Sequence, residues 1–423
     1  MSKSHSPGLP LVRATFRSLG NMNFRLLVTG YALTSMGIWL QFVAQGWLVF
    51  EITGSAFSVG IVSFFSAIPL VFFALLGGWF SDRFSRRHIV ITTSCLNMLQ
   101  ALFLALVSYL GVVEVWHIIV AAGCLGLANS FEGGSRGALV SDILDRDRIQ
   151  NGVALMFTVA SIGMVAGPFV FSLLIARTDV SFCFLLAALG FGSYMALLIA
   201  IRVKEDSAPD REGSGPAREK TRSFVAEVRD NIPLFLVVLA ILILLGASNF
   251  WLYSVLTFLP VIAKSVLSLP DAGVGWLTTA FGVGGLLGGL LVAGWRLDRK
   301  MALFYFSGAG ALLLVGFSLA TGLPTAILFL VLIGLTYNSL QILGSGTLLN
   351  IVAPGIRGRV MSLFALVAAG SGRVGAVAIG LLADMYPINT TYLVGSLLLF
   401  LLTVIVFVGF SFRLDGTPGS ELH

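Results

Sequence analysis

Along this chain the apolar residues do not alternate with polar ones in a short period. They gather into blocks of roughly 20 or more, joined by short polar bridges. Twelve blocks stand near residues 25–50, 57–80, 89–111, 115–140, 152–176, 181–201, 233–262, 272–295, 301–321, 324–352, 360–385 and 390–412. A helix rising 1.5 Å per residue needs about 20 residues to cross about 30 Å of hydrocarbon, so each block predicts one membrane-spanning helix. One long polar interval, "RVKEDSAPDREGSGPAREKTRSFVAEVRDN" at 202–231, separates six blocks from six. Its first part reads as a flexible linker. Phe224, Val225 and Val228, at helical spacing against Glu227, Arg229 and Asp230, predict a short amphipathic helix on the membrane surface. The expected organisation is a six-helix bundle over 1–201, the linker over 202–231 and a second six-helix bundle over 232–423.

Composition agrees: 57% of the 423 residues are hydrophobic and 11% charged, with a mean hydropathy of +0.96, whereas a soluble domain carries about 25% charged residues. A water-soluble globule is excluded. No small-residue cleavage site precedes the first block, so no removable signal peptide is expected. With the N-terminus inside, 22 of the 26 Lys and Arg fall in segments on the inner side, and only Arg177 and Lys264 fall on the outer one. By the positive-inside rule both termini are expected in the cytoplasm. The net charge of +6 then reflects membrane topology. Its scatter over loops argues against a nucleic-acid partner. Cys95, Cys124 and Cys183 each stand alone inside an apolar block, so neither a disulfide frame nor a metal site is expected, and no cofactor motif is present.

The bridge after the second block reads "GGWFSDRFSRRH" (77–88), and Gly78-Trp79-x-x-Asp82-Arg83 recurs as Gly294-Trp295-x-x-Asp298-Arg299 at the same point of the second half. Repetition of a motif in the same topological slot predicts a duplicated six-helix unit, the pattern of parallel-repeat secondary transporters. With Gly78, Asp82, Arg83, Arg86 and Arg87 in place, the chain resembles the major facilitator superfamily, whose loop between helices 2 and 3 carries G-x-x-x-D-R/K-x-G-R/K-R/K; Ser85 stands where that pattern has glycine. Within it, "WLQFVAQGWLVFEITGSAFSVGIVSF" (39–64), "FEGGSRGALVSD" (131–142) and "RGRVMSLF" (357–364) resemble the bacterial branch that includes the enterobactin exporter and macrolide or multidrug efflux proteins. The fold this implies is an all-α membrane protein of twelve transmembrane helices, in two six-helix bundles related by a pseudo-two-fold axis along the membrane normal. The location implied is the bacterial inner membrane.

The resemblance also implies roles. Asp82, with Gly78, Arg83, Arg86, Arg87 and the weaker copy Asp298 and Arg299, would form a conformational latch against the start of helix 11. Gly163, Gly167 and Pro168 resemble an antiporter motif whose closing glycines are replaced by Phe171 and Ser172. With Gly285 and Gly289 of helix 8 they would form a seam between bundles. The cavity would be lined by helices 1, 4, 7 and 10, making Gln41, Gln45, Asn129, Asn249, Trp251, Tyr253, Tyr337, Asn338 and Gln341 candidates for substrate contact; each is equally suited to an interhelical hydrogen bond.

Three charges within the blocks follow from physics alone, because an ionised group in hydrocarbon costs several kcal/mol and is kept with a partner or water. Glu132 and Arg136 are one turn apart with the acid N-terminal, the favourable order for a pair. Arg136 lies about four residues, roughly 6 Å, from the expected helix end. The pair is a candidate for proton coupling or an interfacial structural pair. Arg373 lies about thirteen residues into helix 11, roughly 20 Å deep, and is expected to meet an acid or an anionic group of a substrate.

The function expected is secondary export of an amphipathic organic compound (a drug, siderophore or lipid-like molecule) by alternating access, in exchange for protons. An inward-directed symporter or facilitator of an organic anion is the alternative. The partners expected are a small organic substrate, protons and the lipid bilayer, with the chain acting as a monomer. A membrane enzyme is disfavoured by the absence of G-x-S-x-G, H-E-x-x-H and Walker-type motifs. The orientation has a direct test: a cysteine at Ser214→Cys should react with an impermeant maleimide only after intact cells are permeabilised, and labelling from outside would reverse the assignment.

Overall fold

The computed structural model describes residues 17–201, 232–294, 299–352 and 356–414, with the side chains of 71, 74–79, 81, 82, 233, 299, 300 and 410–414 left outside the description. The predicted surface helix at 224–230 lies outside these residues. After a short 3-10 turn at Arg17–Gly20 come α1 (Met22–Thr53), α2 (Ala56–Arg83), α3 (Arg86–Tyr109), α4 (Val115–Ile143), α5 (Ile149–Ile175) and α6 (Val180–Ala200). The second half begins with α7, which runs from Ile232 to Val266 in four consecutive segments. It continues with α8 (Ala272–Gly294), α9 (Arg299–Ser318), α10 (Leu323–Ile351), α11 (Arg357–Met385) and α12 (Ile388–Leu414). Eleven of these helices are long and apolar enough to cross a membrane, and α2 contributes a shorter apolar stretch, Ala56–Leu70. No strand occurs among the described residues.

The helix ends carry local signals. Gly54 closes α1 at φ +62° and Gly111 follows α3 at φ +68°, left-handed conformations that only glycine adopts without strain. Asp179 accepts a hydrogen bond from the Ser181 backbone N–H at 2.8 Å and so caps α6, and the Glu114 backbone N–H donates to His117 Nδ1 at the start of α4. Prolines 69, 168 and 260 sit inside helices, which membrane helices tolerate where neighbours satisfy the freed carbonyls. α7 departs furthest from a plain helix: Asn249–Tyr253 and Ile262–Val266 are wound as π-helix.

The chain divides into two compact units, Met1–Gln45 with Ile68–Arg211, and Gly46–Ala67 with Glu212–His423. In the first, α3 packs on both α4 and α6; in the second, α9 packs on both α10 and α12. These are corresponding pairs of the two halves, and the glycines follow the same correspondence. On α5, a Cβ at Gly163 would meet the Ser35 side chain of α1, and one at Gly167 would lie 2.6 Å from the Met36 carbonyl and 2.7 Å from the Leu40 N. On α11, a Cβ at Gly372 would lie 3.1 Å from the Asn249 carbonyl of α7, and one at Gly375 2.6 Å from that of Phe250. Helix 5 on helix 1 thus matches helix 11 on helix 7. Gly163 and Gly167, predicted as part of a seam, pack with buried Pro168 inside their own unit against α1. Gly285 and Gly289 likewise face Asn338 of α10. The reason is physical: lipid tails are as apolar as leucine, so helices gain most by bringing backbones into contact, and they do so first with their own bundle neighbours.

The tightest crossing is α8 with α10. A Cβ at Gly284 would strike the Val331 carbonyl, one at Gly288 the Leu335 carbonyl, and one at Gly334 the Phe281 carbonyl. Polar pairs add to it: Ser339 Oγ donates to the Gly288 carbonyl at 3.2 Å. Ser248, Ser307 and Thr403 link α7, α9 and α12 through hydroxyl contacts of 3.2 and 2.9 Å. Such bonds in a bilayer contribute about 0.6 kcal/mol each on average, so the close backbone packing sets the geometry. Gly334→Leu is therefore expected to lower stability by about 1–3 kcal/mol or more, read as a fall in the detergent unfolding temperature. Gly133→Ala, where an added Cβ meets nothing within 4 Å, should leave it unchanged.

Candidate functional site

In the first unit an acid and a base share the buried face of α4. Arg136 Nη1 donates to Glu132 Oε1 at 2.7 Å, with the Glu132 side chain 1% exposed. The guanidinium lies over the ring of Tyr31 of α1, 4.1 Å from its centroid, a cation–π contact of the kind that strengthens when desolvated. Tyr31 in turn lies 6.4 Å from Tyr194 of α6, ring to ring. Three helices thus close around one ion pair. Glu132 Oε2 and the Tyr194 hydroxyl are both buried without a hydrogen-bond partner among the described residues, while the other carboxylate oxygen is committed to the arginine. Because α4 continues to Ile143, Arg136 lies about 10 Å from the helix end and deeper than the sequence suggested. Opposite this face, a Cβ at Gly133, Gly134 or Gly137 would meet nothing within 4 Å.

The second unit holds a different constellation at the π-wound turn of α7. Tyr337 of α10 donates to Asn249 Oδ1 at 2.9 Å. Its ring lies 5.6 Å from that of Tyr253 and 5.8 Å from that of Phe281. π-helical turns widen the helix and leave a carbonyl without its usual partner, and they recur at functional sites. Here Gly372 and Gly375 of α11 dock on that turn, which brings Arg373, between them in sequence, to the same level. Arg373 Nη1 donates to the Ala369 carbonyl at 2.6 Å. It has no acidic partner among the described residues. The side chain is half-buried.

The remaining predicted residues separate by their partners. Gln41 is wholly buried and exchanges two hydrogen bonds with Gln100 of α3, at 2.8 and 3.0 Å. Asn249 donates to the Leu245 carbonyl and Asn338 to the Gly285 carbonyl at 2.6 Å. These three amides bond within and between helices, the role that the sequence left open beside substrate contact. The Trp251 ring sits where a Cβ on Gly395 of α12 would be. Gln45 Nε2 and Gln341 Nε2 are buried without partners among the described residues, and Asn129 is half-buried. Arg86 pairs with Asp142 of α4 at 2.6 Å. Arg87 donates to the Leu198 and Ile199 carbonyls at the end of α6. Both arginines therefore fasten the start of α3 to the ends of α4 and α6, and Arg83 is exposed. Gly78 and Asp82 belong to α2 and Arg299 opens α9, but the side chains of Asp82 and Arg299 lie outside the description, as does Asp298 altogether.

Sequence reasoning missed Tyr31, Tyr194 and Gln100, which stand in blocks remote from α4 and carry no local pattern. The available signal was indirect: a buried Glu132–Arg136 pair demands further polar neighbours, without saying from which helix.

The family profile described as "Transmembrane secretion effector" matches residues 13–418. The multidrug efflux pump Tap of Mycolicibacterium fortuitum is 22% identical over 390 residues, covering 90% of this chain and 94% of that protein. Tap of Mycobacterium tuberculosis is 23% identical over 387 residues, covering 87% and 88%. Among solved structures, the nucleoside transporter NupG superposes with a TM-score of 0.74 at 15% identity, over 92% of this chain and 99% of that one, a likeness of fold.

Removing one member of a buried pair leaves an uncompensated charge. Arg136→Ala should therefore cost about 3–5 kcal/mol of stability, while Glu132→Gln combined with Arg136→Met should recover more than half of it. Thermal unfolding of the single and double variants in detergent measures the coupling; equal losses in both would show that the pair does not act as a unit.

Proposed function

Because the chain belongs to the transmembrane secretion effector family of the major facilitator superfamily, we propose that it exports amphipathic organic compounds from the cytoplasm in exchange for protons, by alternating access. The observation that carries this reading is the full-length similarity to two pumps named for multidrug efflux. The site chemistry supports it. Glu132 is an acid buried in a membrane helix with one oxygen paired and one free. A proton on Oε2 would neutralise the carboxyl and remove its attraction for Arg136, leaving the guanidinium to the Tyr31 ring. That change of charge inside the first unit is what coupling to a proton gradient requires.

Substrate contact is proposed in the second unit, at Arg373 with Tyr253, Tyr337 and Gln341. The aromatic rings offer flat apolar area, and the Gln341 amide and Arg373 guanidinium offer donors that the protein leaves unused. Such a surface suits molecules that carry both an apolar body and an acceptor group. Arg373 also favours the second reading, inward movement of an organic anion, since a half-buried guanidinium without an acid is an anion's natural partner.

Inverted membrane vesicles separate the two. Under an inside-acid gradient, export predicts accumulation of a fluorescent amphiphile that collapses with a protonophore. The Glu132→Gln variant should lose that gradient dependence, and Arg373→Ala should reduce uptake about tenfold or more, the cost of one charged hydrogen bond. Accumulation indifferent to the gradient would exclude proton exchange, and anion uptake by right-side-out vesicles alone would favour the second reading.

A further inference from the structure

The two compact units do not divide at the midpoint of the chain. The turn between α1 and α2, with the ends that flank it, Gly46–Ala67, belongs to the second unit, while both helices continue into the first. What holds this hairpin is a set of polar contacts at the outer end. Asp384, in the last turn of α11, accepts from Ser55 Oγ at 2.7 Å and from the Ala56 backbone N–H at 2.7 Å, with the Phe57 N–H at 3.4 Å. A carboxylate thereby caps α2 from another helix, meeting free N–H groups and the positive end of its dipole together. Beside it Lys264 of α7 pairs with Glu51 of α1, and the Trp47 indole N–H donates to Asp271 at 3.0 Å.

Beneath these contacts the backbones of α2 and α11 approach closely at two glycines. A Cβ at Gly60 would strike the Ala376 carbonyl, and one at Gly380 would lie 2.8 Å from the Ala56 carbonyl. The helices meet there backbone to backbone. Asp384, Glu51, Lys264 and Asp271 are all exposed, so water can replace every partner when the contact parts. The buried Gln41–Gln100 pair has no such exchange. Half-exposed ion pairs such as Glu51–Lys264 contribute little, which leaves the Asp384 cap as the chief polar hold.

We propose that the 46–67 hairpin is a releasable clamp held chiefly by Asp384, and that its release opens the outer side of the protein during transport. The second clause rests on the transport reading above; the first does not.

The test uses the full chain with Cys95, Cys124 and Cys183 replaced by serine. Val59, 2% exposed, becomes the reporter as Val59→Cys, labelled by an impermeant maleimide added outside the cell. Asp384→Ala should raise its labelling rate about tenfold, the ratio for a cap of about 1.4 kcal/mol, and Asp384→Asn, which keeps one acceptor oxygen, should fall between. Unfolding temperatures within a few degrees of the parent certify that the variants are folded. In a second arm, Ser55→Cys with Asp384→Cys are joined by an oxidant, and the disulfide should stop efflux of a fluorescent amphiphile until a reductant restores it. Unchanged labelling in both Asp384 variants, or undiminished efflux by the linked chain, overturns the clamp. If the reduced chain moves no substrate at all, the transport reading fails, and the labelling arm alone decides the clamp.

Discussion

Hydrocarbon offers no hydrogen bonds, and everything else in this protein follows from that. Each crossing segment must pair its own N–H and carbonyl groups, so it is helical throughout. Because lipid is as apolar as a leucine side chain, burial of apolar surface gives the helices little reason to associate. They associate through backbone contact, and the glycines mark where. Gly284, Gly288 and Gly334 bring α8 and α10 together. Gly163 and Gly167 seat α5 on α1, and Gly372 and Gly375 seat α11 on α7. The pairing of α5–α1 with α11–α7 is the duplication expressed in packing.

Within that frame the polar groups divide by what they can exchange with. Gln41 with Gln100, and Ser248 with Ser307 and Thr403, are closed on one another and serve as fixed joints. Glu132 and Arg136 are also paired, yet one carboxylate oxygen has no partner among the described residues and the arginine rests on a ring. Arg373 spends one nitrogen on its own helix and keeps the rest. Asp384 and its neighbours lie where water competes for every bond.

The arginines of the 77–88 cluster make contacts that their motif does not spell out. The family resemblance implies a latch there. Among the described residues, Arg86 and Arg87 fasten α3 to the ends of α4 and α6. An arginine beside helix C-termini is drawn to the nearest unpaired carbonyls, and those belong to its own unit. The turn between α1 and α2 is held by residues that form no motif: an acid closing one helix, a serine opening another, and a lysine that had stood out as an exception to the charge asymmetry.

The amino-acid sequence by itself determined the apolar segments, the motif repeated between them, the family and the Glu132–Arg136 pair. Each of these depends on local chemistry: apolar length, a repeated motif, or two charges one turn apart. Only the tertiary structure decided which glycine meets which helix, that Tyr31 and Tyr194 close around the ion pair, that Gln41 and Asn249 are committed to neighbouring helices, and that Asp384 caps α2. Those facts depend on which faces of distant helices meet. Twelve helices of similar apolar composition leave that choice undetermined in one dimension, and backbone contact in lipid settles it in three.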